Sequence, residues 1–258
     1  MDLGLKNKIA LITGAGRGIG RATALGLAKE GCKIVVVSRT KNDLDQVVKE
    51  AGGKKKGHVA IALDLTKKGS PKKLVSFLKA KIGLPQIIIH NLGGALNVRD
   101  HFCSMADFNK IYRLNFEVAV ELNLDLLPIM QKKKWGRVIH VSSIAGAENQ
   151  GPIPYCCAKA ALNAYVRSMG GVVGRDNVVL SSVLPGAVFT EKGYWDHQFK
   201  HNRSSVKKFL SDRQRIGRFG TPEEIANMVV FLSSELASFN TGSIIPIDGA
   251  QGRGYFEQ

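Results

Sequence analysis

The sequence predicts a doubly wound α/β domain, a parallel sheet of about seven strands with helices on both faces. Three observations carry that expectation. Seven short runs at 9–13, 33–38, 59–64, 86–91, 137–142, 178–184 and 243–248 are rich in Val and Ile without polar alternation, as strands buried on both faces require. Helix-length stretches at 21–29, 44–50, 72–81, 158–173 and 222–233 lie between them, and strand–helix–strand repetition is how a chain builds a parallel sheet. A glycine-rich turn follows the first run directly.

The first run leads into Thr13-Gly14-Ala15-Gly16-Arg17-Gly18-Ile19-Gly20, and a helix begins at Arg21. The pattern G-x-G-x-x-G fits in no register, whereas G-x-x-x-G-x-G fits Gly14, Gly18 and Gly20. Glycine permits the tight turn and a close backbone approach, and a helix N-terminus offers free N–H groups to a pyrophosphate. Such clusters also make plain turns, but one between the first strand and its helix points to a nucleotide. The second run ends Val37-Ser38-Arg39-Thr40. NAD binders of this architecture usually carry an acid there for the ribose 2′-hydroxyl. An arginine would instead hold a 2′-phosphate, and Arg17 adds a cation at the same mouth. The pair favours NADP(H), with a solvated loop cation as the alternative for Arg39.

The third run ends at Asp64-Leu65 and the fourth at His90-Asn91-Leu92-Gly93-Gly94, where His90 reads as a packed strand residue and not a catalyst. The fifth ends at Ser142-Ser143, where a hydroxyl can point into the crevice. Tyr155 and Lys159 follow at i, i+4 near a helix start and share one face. A phenol with a free pKa of about 10 is a poor acid–base at neutral pH. A neighbouring ammonium favours the phenolate and would bring that pKa toward the working range. After the sixth run comes Pro185-Gly186-Ala187-Val188-Phe189-Thr190. Residues 191–219 then break the rhythm, being polar, charged and aromatic. An insertion after a strand overhangs the ligand crevice of this architecture, so with Tyr194, Trp195, Phe199 and Phe209 it reads as a substrate lid. Thr221-Pro222-Glu223-Glu224 opens the last helix as N-cap, first-turn proline and acids.

The motif series resembles the short-chain dehydrogenase/reductase family in its single-domain form, over nearly the whole chain. Asn115 in a helix, Ser142-Ser143-Ile144-Ala145-Gly146 and Ile247-Asp248-Gly249 add to the motifs above. The ending and the glycine turn most resemble 3-oxoacyl-(acyl-carrier-protein) reductases. The resemblance implies a Rossmann-type fold and an NADP-dependent oxidoreductase that passes hydride between the nicotinamide and a carbonyl or secondary alcohol. It assigns catalysis to Asn115, Ser143, Tyr155 and Lys159. Tyr155 would protonate the alkoxide, Lys159 would lower its pKa and hold the ribose, Ser143 would bond the carbonyl oxygen and Asn115 would anchor a water. Cofactor contacts would come from Gly14, Arg17, Gly18, Ile19, Gly20, Ser38, Arg39, Asp64, Leu65, Asn91, Gly93, Tyr155, Lys159, Pro185, Gly186, Val188 and Thr190. A homotetramer packed through helices around 108–127 and 158–173 is also implied. Two departures stand out. The family commonly has Asn-Asn-Ala-Gly in place of His90-Asn91-Leu92-Gly93, and the interval from Ser143 to Tyr155 is one residue short. Ser142 is therefore the alternative to Ser143, which the following Ile-Ala-Gly favours.

Composition agrees with one catalytic domain over 1–258. Of 258 residues, 44% are hydrophobic and 22% charged, an ordinary globular balance that excludes wholesale disorder. Cys32, Cys103, Cys156 and Cys157 show no CxxC spacing, so no metal is expected. Residues 5–12 read as a strand and not a leader, which makes free thiols and a cytoplasmic location the expectation. No uncharged apolar run reaches the roughly 18 residues of a membrane span.

The formal charge of +16 raises nucleic acid, anionic membrane or an anionic ligand as partner, yet no nucleic-acid-binding motif accompanies it. Lys54-Lys55-Lys56 and Lys132-Lys133-Lys134 precede strands and fall at the edge away from the ligand. Arg17, Arg39, Lys41, Lys67 and Lys68 follow strands and surround the expected adenosine phosphate, while Lys192, Lys200, Arg203, Lys207 and Lys208 lie in the expected lid. The partner expected is a small or carrier-bound carbonyl compound, anionic if the lid charges face it. Sugar and steroid ketones, or a non-catalytic NADP-binding regulator, are the competing readings.

Overall fold

The computed structural model describes residues 1–98 and 100–253. Its strands are β1 (Ile9–Thr13), β2 (Lys33–Ser38), β3 (Val59–Ala62), β4 (Ile87–His90), β5 (Gly136–Val141), β6 (Val178–Pro185) and β7 (Ser243–Ile247). All pair in parallel, in the order β3-β2-β1-β4-β5-β6-β7. Several runs expected one or two residues longer end early because the chain leaves the ladder there. Asp64, Asn91 and Ser142 thus stand just beyond the sheet, on the loops that form the site.

The absence of polar alternation has its cause in burial on both faces. Ile12, Ile34, Val36 and Ile89 pack on one face with Leu27, Val47 and Val229. Leu11, Val35, Val37 and Ile88 pack on the other with Leu78, Leu122 and Val166, as the two-residue period of a strand dictates. The first set of helices is α1 (Gly18–Lys29), α2 (Lys41–Glu50) and α9 (Pro222–Leu232), and the second includes α3 (Ser70–Lys81), α5 (Val118–Lys132) and α6 (Ile153–Val173). β1 has β2 on one side and β4 on the other, so consecutive crossovers diverge at that point. The crevice outside the carboxyl ends of β1 and β4 is where ligands bind such sheets.

Three segments differ in detail from the sequence expectation. The helix expected around Asn115 is two helices, α4 (Met105–Tyr112) and α5, joined by a π-helical stretch at Arg113–Glu117. The Asn115 amide donates to the Ile111 carbonyl at 2.8 Å, a side-chain bond to the backbone four residues earlier that accompanies the wider turn. α6 starts at Ile153, five residues before its expected start, so Tyr155 and Lys159 occupy its first turns. The 191–219 insertion contains α7 (Tyr194–His201) and α8 (Arg203–Arg213). The last-helix signal is a full capping box, with Glu224 N–H donating to Thr221 Oγ1 at 3.2 Å and Thr221 N–H to Glu224 Oε2 at 2.8 Å. Among the described residues no helix is long and apolar enough to cross a membrane.

Candidate active site

The glycine turn is shaped for close approach. Gly14 and Gly18 have φ of 65° and 54°, the left-handed region that glycine enters without steric cost. A Cβ on Gly20 would lie 2.4 Å from Asn91 Nδ2 and 2.5 Å from the Gly14 carbonyl oxygen. Asn91 donates that amide to Thr13 and Gly14 carbonyls, and its own N–H bonds Thr13 Oγ1 at 3.1 Å. Arg17, the residue before α1, supplies no side-chain cap, which leaves the first N–H groups of the helix to a ligand. The half-buried Ile19 packs on the core below.

At the end of β2 the buried Ser38 hydroxyl has no protein partner, and it lies 3.2 Å from where a Gly16 Cβ would stand. Arg39 beside it is exposed. Asp64 accepts from the Thr66 hydroxyl at 2.7 Å and N–H at 3.0 Å. Those bonds, with the Arg39 and Lys67 charges, hold its carboxyl below the usual range. Leu65 sends its side chain into the core, so its backbone is what remains for an adenine contact. Arg17 reaches across the mouth to the Lys192 carbonyl at 3.3 Å. A cradle that excludes side chains, a partnerless buried hydroxyl and surrounding cations fit a phosphorylated dinucleotide.

Asn115, Ser143, Tyr155 and Lys159 come together above β4 and β5. The Ser143 side chain hydrogen-bonds Tyr155 and accepts from Ala145 N–H at 3.1 Å. Ser142 is turned away, its hydroxyl on the Lys159 carbonyl at 3.4 Å. Lys159 is 2% exposed. Its Nζ donates to the Val141 carbonyl at 2.8 Å and lies 5.6 Å from the Tyr155 ring centroid. Asn115 Oδ1 accepts from Gly94 N–H at 2.9 Å and Nδ2 donates to the Gly94 carbonyl at 2.9 Å. A Cβ on Gly93 would sit 2.7 Å from Asn115 Oδ1 and 3.1 Å from Lys159 Nζ, so only glycine leaves that corner open.

The electrostatics differ from the expectation that Lys159 lowers the Tyr155 pKa. Burial pushes the Tyr155 phenol up, and the Ser143 hydrogen bond opposes it without reversing it. Burial also brings the Lys159 ammonium down to about 7, so near neutrality its charge is partial. The phenol is therefore held in its protonated form.

Pro185 ends β6, and Gly186 lies so close to Asp248 that a Cβ would meet its Cα at 2.8 Å. Val188 bridges to Gly220, and Thr190 packs over the glycine turn, 3.1 Å from a Gly18 Cβ position. Trp195 of α7 packs in tilted contacts against Phe209 and Phe219 at centroid distances of 4.3 and 4.9 Å, which seats the insertion on the 185–190 segment through Phe189 and Phe219.

Comparison with known proteins agrees with this geometry. The model of the short chain dehydrogenase family matches residues 8–195. The chain belongs to the short-chain dehydrogenase/reductase family. It is an oxidoreductase of the kind that uses a nicotinamide cofactor. The 3-oxoacyl-(acyl-carrier-protein) reductase of Thermotoga maritima is 30% identical over 249 residues, covering 95% of this chain and 98% of its own. L-Sorbose reductase of Gluconobacter frateurii, solved with NADPH and L-sorbose, superposes with a TM-score of 0.91 at 29% identity, covering 98% and 100%. A 3-oxoacyl-(acyl-carrier-protein) reductase of Agrobacterium tumefaciens with NADP bound gives 0.88 at 28%, covering 96% of each chain.

Several contacts around the site carry no sequence signal, although His90 itself, 4% exposed in β4, is the packed strand residue the sequence predicts. His90 and His140 stack at 4.7 Å. Asn123 links them, its Oδ1 2.8 Å from His90 Nε2 and its Nδ2 3.1 Å from His140 Nε2. These contacts come from three separate elements, which no spacing rule connects. Asp43 of α2, 3.1 Å by its Cβ from a Gly16 Cβ position, is a carboxylate beside the glycine turn that lies past the end of β2. Gln150 and Gln251 meet across 101 positions of sequence.

Proposed function

We propose that this enzyme reduces a carbonyl compound with NADPH, Tyr155 delivering the proton. The observation that carries this reading is the half-buried Tyr155 phenol beside Ser143, with Lys159 Nζ 5.6 Å from its ring on the same helix face. NADPH bound in the crevice supplies the hydride. Ser143 and Tyr155 present hydroxyls to the substrate oxygen, orienting it and stabilising the charge it gains. Tyr155 then gives its proton to that oxygen, so the carbonyl takes up one hydride and one proton and leaves as the alcohol. Lys159, when protonated, stabilises the phenolate left behind. Asn115 keeps the Gly93-Gly94 backbone in place beside Lys159. The glycine turn, Asn91, Ser38 and Arg39 support the assignment of NADP to the crevice, and Pro185, Gly186, Val188 and Thr190 that of the nicotinamide end.

For the substrate, a 3-oxoacyl thioester is the leading reading. The similarity to 3-oxoacyl-(acyl-carrier-protein) reductases supports it, as do exposed Lys207 and Lys208 on α8, suited to an acidic carrier or coenzyme A. The 191–219 insertion would act as the lid over it. The similarity to the L-sorbose reductase supports a second reading, a polyhydroxylated ketone. A homotetramer supported by exposed Leu124 on α5 and Val172 on α6, working in the cytoplasm with its four cysteines free, completes the proposal.

The test is a substrate panel, acetoacetyl-coenzyme A against L-sorbose, with NADPH and with NADH. Tyr155→Phe is expected to lose at least about 100-fold in kcat on the accepted substrate, and full activity in that variant would end the mechanism. Lys207→Glu with Lys208→Glu is expected to raise KM for acetoacetyl-coenzyme A and spare L-sorbose. NADPH binding without turnover of any carbonyl would favour the regulator.

A further inference from the structure

The last described segment of the chain is built around one side chain. Asp248 accepts from Ala250 N–H at 3.0 Å and Gly252 N–H at 2.7 Å, and Gln251 N–H returns to the Asp248 carbonyl at 3.2 Å. Gly249 and Ala250 both take left-handed φ, 62° and 60°, a conformation that costs a non-glycine residue about 1 kcal/mol or more. The turn so held aims Gln251 inward, where it is 6% exposed.

Both ends of the Gln251 amide are used. Its Oε1 accepts the Ala187 N–H at 2.7 Å, and its Nε2 donates to Gln150 Oε1 at 2.9 Å. Ala187 lies in the 185–190 segment on the nicotinamide side. Gln150 belongs to the segment between Ser143 and Tyr155, where its side chain bonds Glu148, and Glu148 accepts in turn from Arg253 N–H. A Cβ on the next residue, Gly151, would touch Tyr155 Cδ1 at 3.4 Å and Ala145 Cβ at 3.5 Å, so this segment runs close beside the Tyr155 ring. The same C-terminal turn receives Ile216 N–H on the Gly249 carbonyl at 3.2 Å, which ties in the end of the 191–219 insertion.

We propose that Gln251 is a positioning residue for the carbonyl substrate, fixing the 148–151 segment beside Tyr155 to the backbone of Ala187. It sets the distance between the substrate wall and the nicotinamide wall of the crevice without touching either reactant. A side chain with one acceptor and one donor at this reach is needed, because Ala187 offers an N–H and Gln150 an oxygen. The proposal rests on the carbonyl reductase reading for its kinetic consequence, but the clamp itself is a property of the protein alone.

Two variants of the full chain separate the bonds. Gln251→Glu keeps an acceptor for Ala187 and loses the donor to Gln150, and Gln251→Met loses both. Residue-resolved amide exchange is expected to speed up across 147–152 in both variants, and at Ala187 in Gln251→Met alone. With acetoacetyl-coenzyme A or L-sorbose, whichever the wild type turns over, KM should rise about tenfold, the cost of about one hydrogen bond. NADPH affinity of Gln251→Glu, read by fluorescence, should stay within about twofold of wild type, a split that general destabilisation does not produce. Unchanged exchange at 147–152 in both variants overturns the proposal, as does a parallel loss of substrate and NADPH affinity in Gln251→Glu. A wild type that reduces neither probe defeats the carbonyl reductase reading instead, while the exchange result still decides the clamp.

Discussion

Asn91 donates its side-chain amide to the Gly14 carbonyl oxygen over 3.0 Å, so the end of β4 supports the glycine turn from inside the fold. The bond runs through the space a side chain at position 20 would need. Gly20→Ala places a methyl 2.4 Å from Asn91 Nδ2 and 2.5 Å from the Gly14 oxygen. Neither atom can give way without moving the turn. NADPH affinity measured by fluorescence titration should fall at least about tenfold, and the Tm should drop with it. Gly171→Ala in the last turn of α6 is the control. Nothing lies within 4 Å of its Cβ position, so alanine there should stabilise by about 0.5–1 kcal/mol. Equal behaviour of the two variants would remove close approach as the reason for glycine at position 20.

On the proposed function, cofactor choice would depend on Ser38 and Arg39. The Ser38 hydroxyl is buried without a protein partner, and Arg39 is exposed beside it. A charge-assisted hydrogen bond is worth about 1.5–3 kcal/mol, or about 10- to 100-fold in binding. Arg39→Asp should therefore raise KM for NADPH by about that factor and lower KM for NADH, as steady-state kinetics with both cofactors would reveal. Asp43, a carboxylate near Gly16, would temper that preference, so Asp43→Asn should sharpen it toward NADPH. An Arg39→Asp enzyme with an unchanged ratio of the two KM values would assign the 2′-phosphate to other residues.

Burial sets the pH profile. Lys159 carries a pKa lowered to about 7 and Tyr155 one raised above its ordinary value, both through desolvation. In the proposed reduction the proton comes from Tyr155, whose raised pKa keeps it in place through the neutral range. That step would also gain from a charged Lys159 beside the departing proton. The kcat/KM for reduction should thus be highest below pH 7 and bend downward above it as Lys159 loses its proton. Lys159→Met should lose this limb and about 100-fold or more in kcat. A wild-type profile flat from pH 6 to 9 would show that Lys159 does not titrate there.

The parts of this molecule legible in the sequence are those that local chemistry dictates. Val and Ile runs mark strands because both faces of the sheet are covered. Gly14, Gly18 and Gly20 mark the turn because only glycine fits it, and Thr221 with Glu224 marks a helix start because the capping bonds are local. Tyr155 and Lys159 are readable together because four residues of helix place them on one face. The Lys159 pKa was not readable, since it depends on burial by residues from β5 and the 93–94 loop. The two helices of the 191–219 insertion escaped because their stabilising contacts, Trp195 on Phe209 and Phe219, are tertiary. The His90–Asn123–His140 cluster and the Gln150–Gln251 bond escaped for the same reason.

The His90–Asn123–His140 cluster predicts an acid-labile core. Burial lowers the His90 pKa to about 4 from an ordinary 6.5, and burial together with the charge of His90 holds His140 well below the same value. In the unfolded chain both imidazoles take up a proton near pH 6.5, whereas in the folded protein they remain neutral, hydrogen-bonded through Asn123. Between pH 6.5 and 4 the unfolded state therefore binds more protons than the folded state. The stability contributed is full above pH 6.5 and is lost as pH falls, at about 1.4 kcal/mol per unit for each such histidine. Urea denaturation from pH 7 to pH 4.5 should record that slope, and His90→Asn, which can still hydrogen-bond Asn123, should reduce it by close to one histidine's share. The same slope in His90→Asn and wild type would place the acid sensitivity elsewhere, His58 being the next candidate because burial lowers its pKa as well.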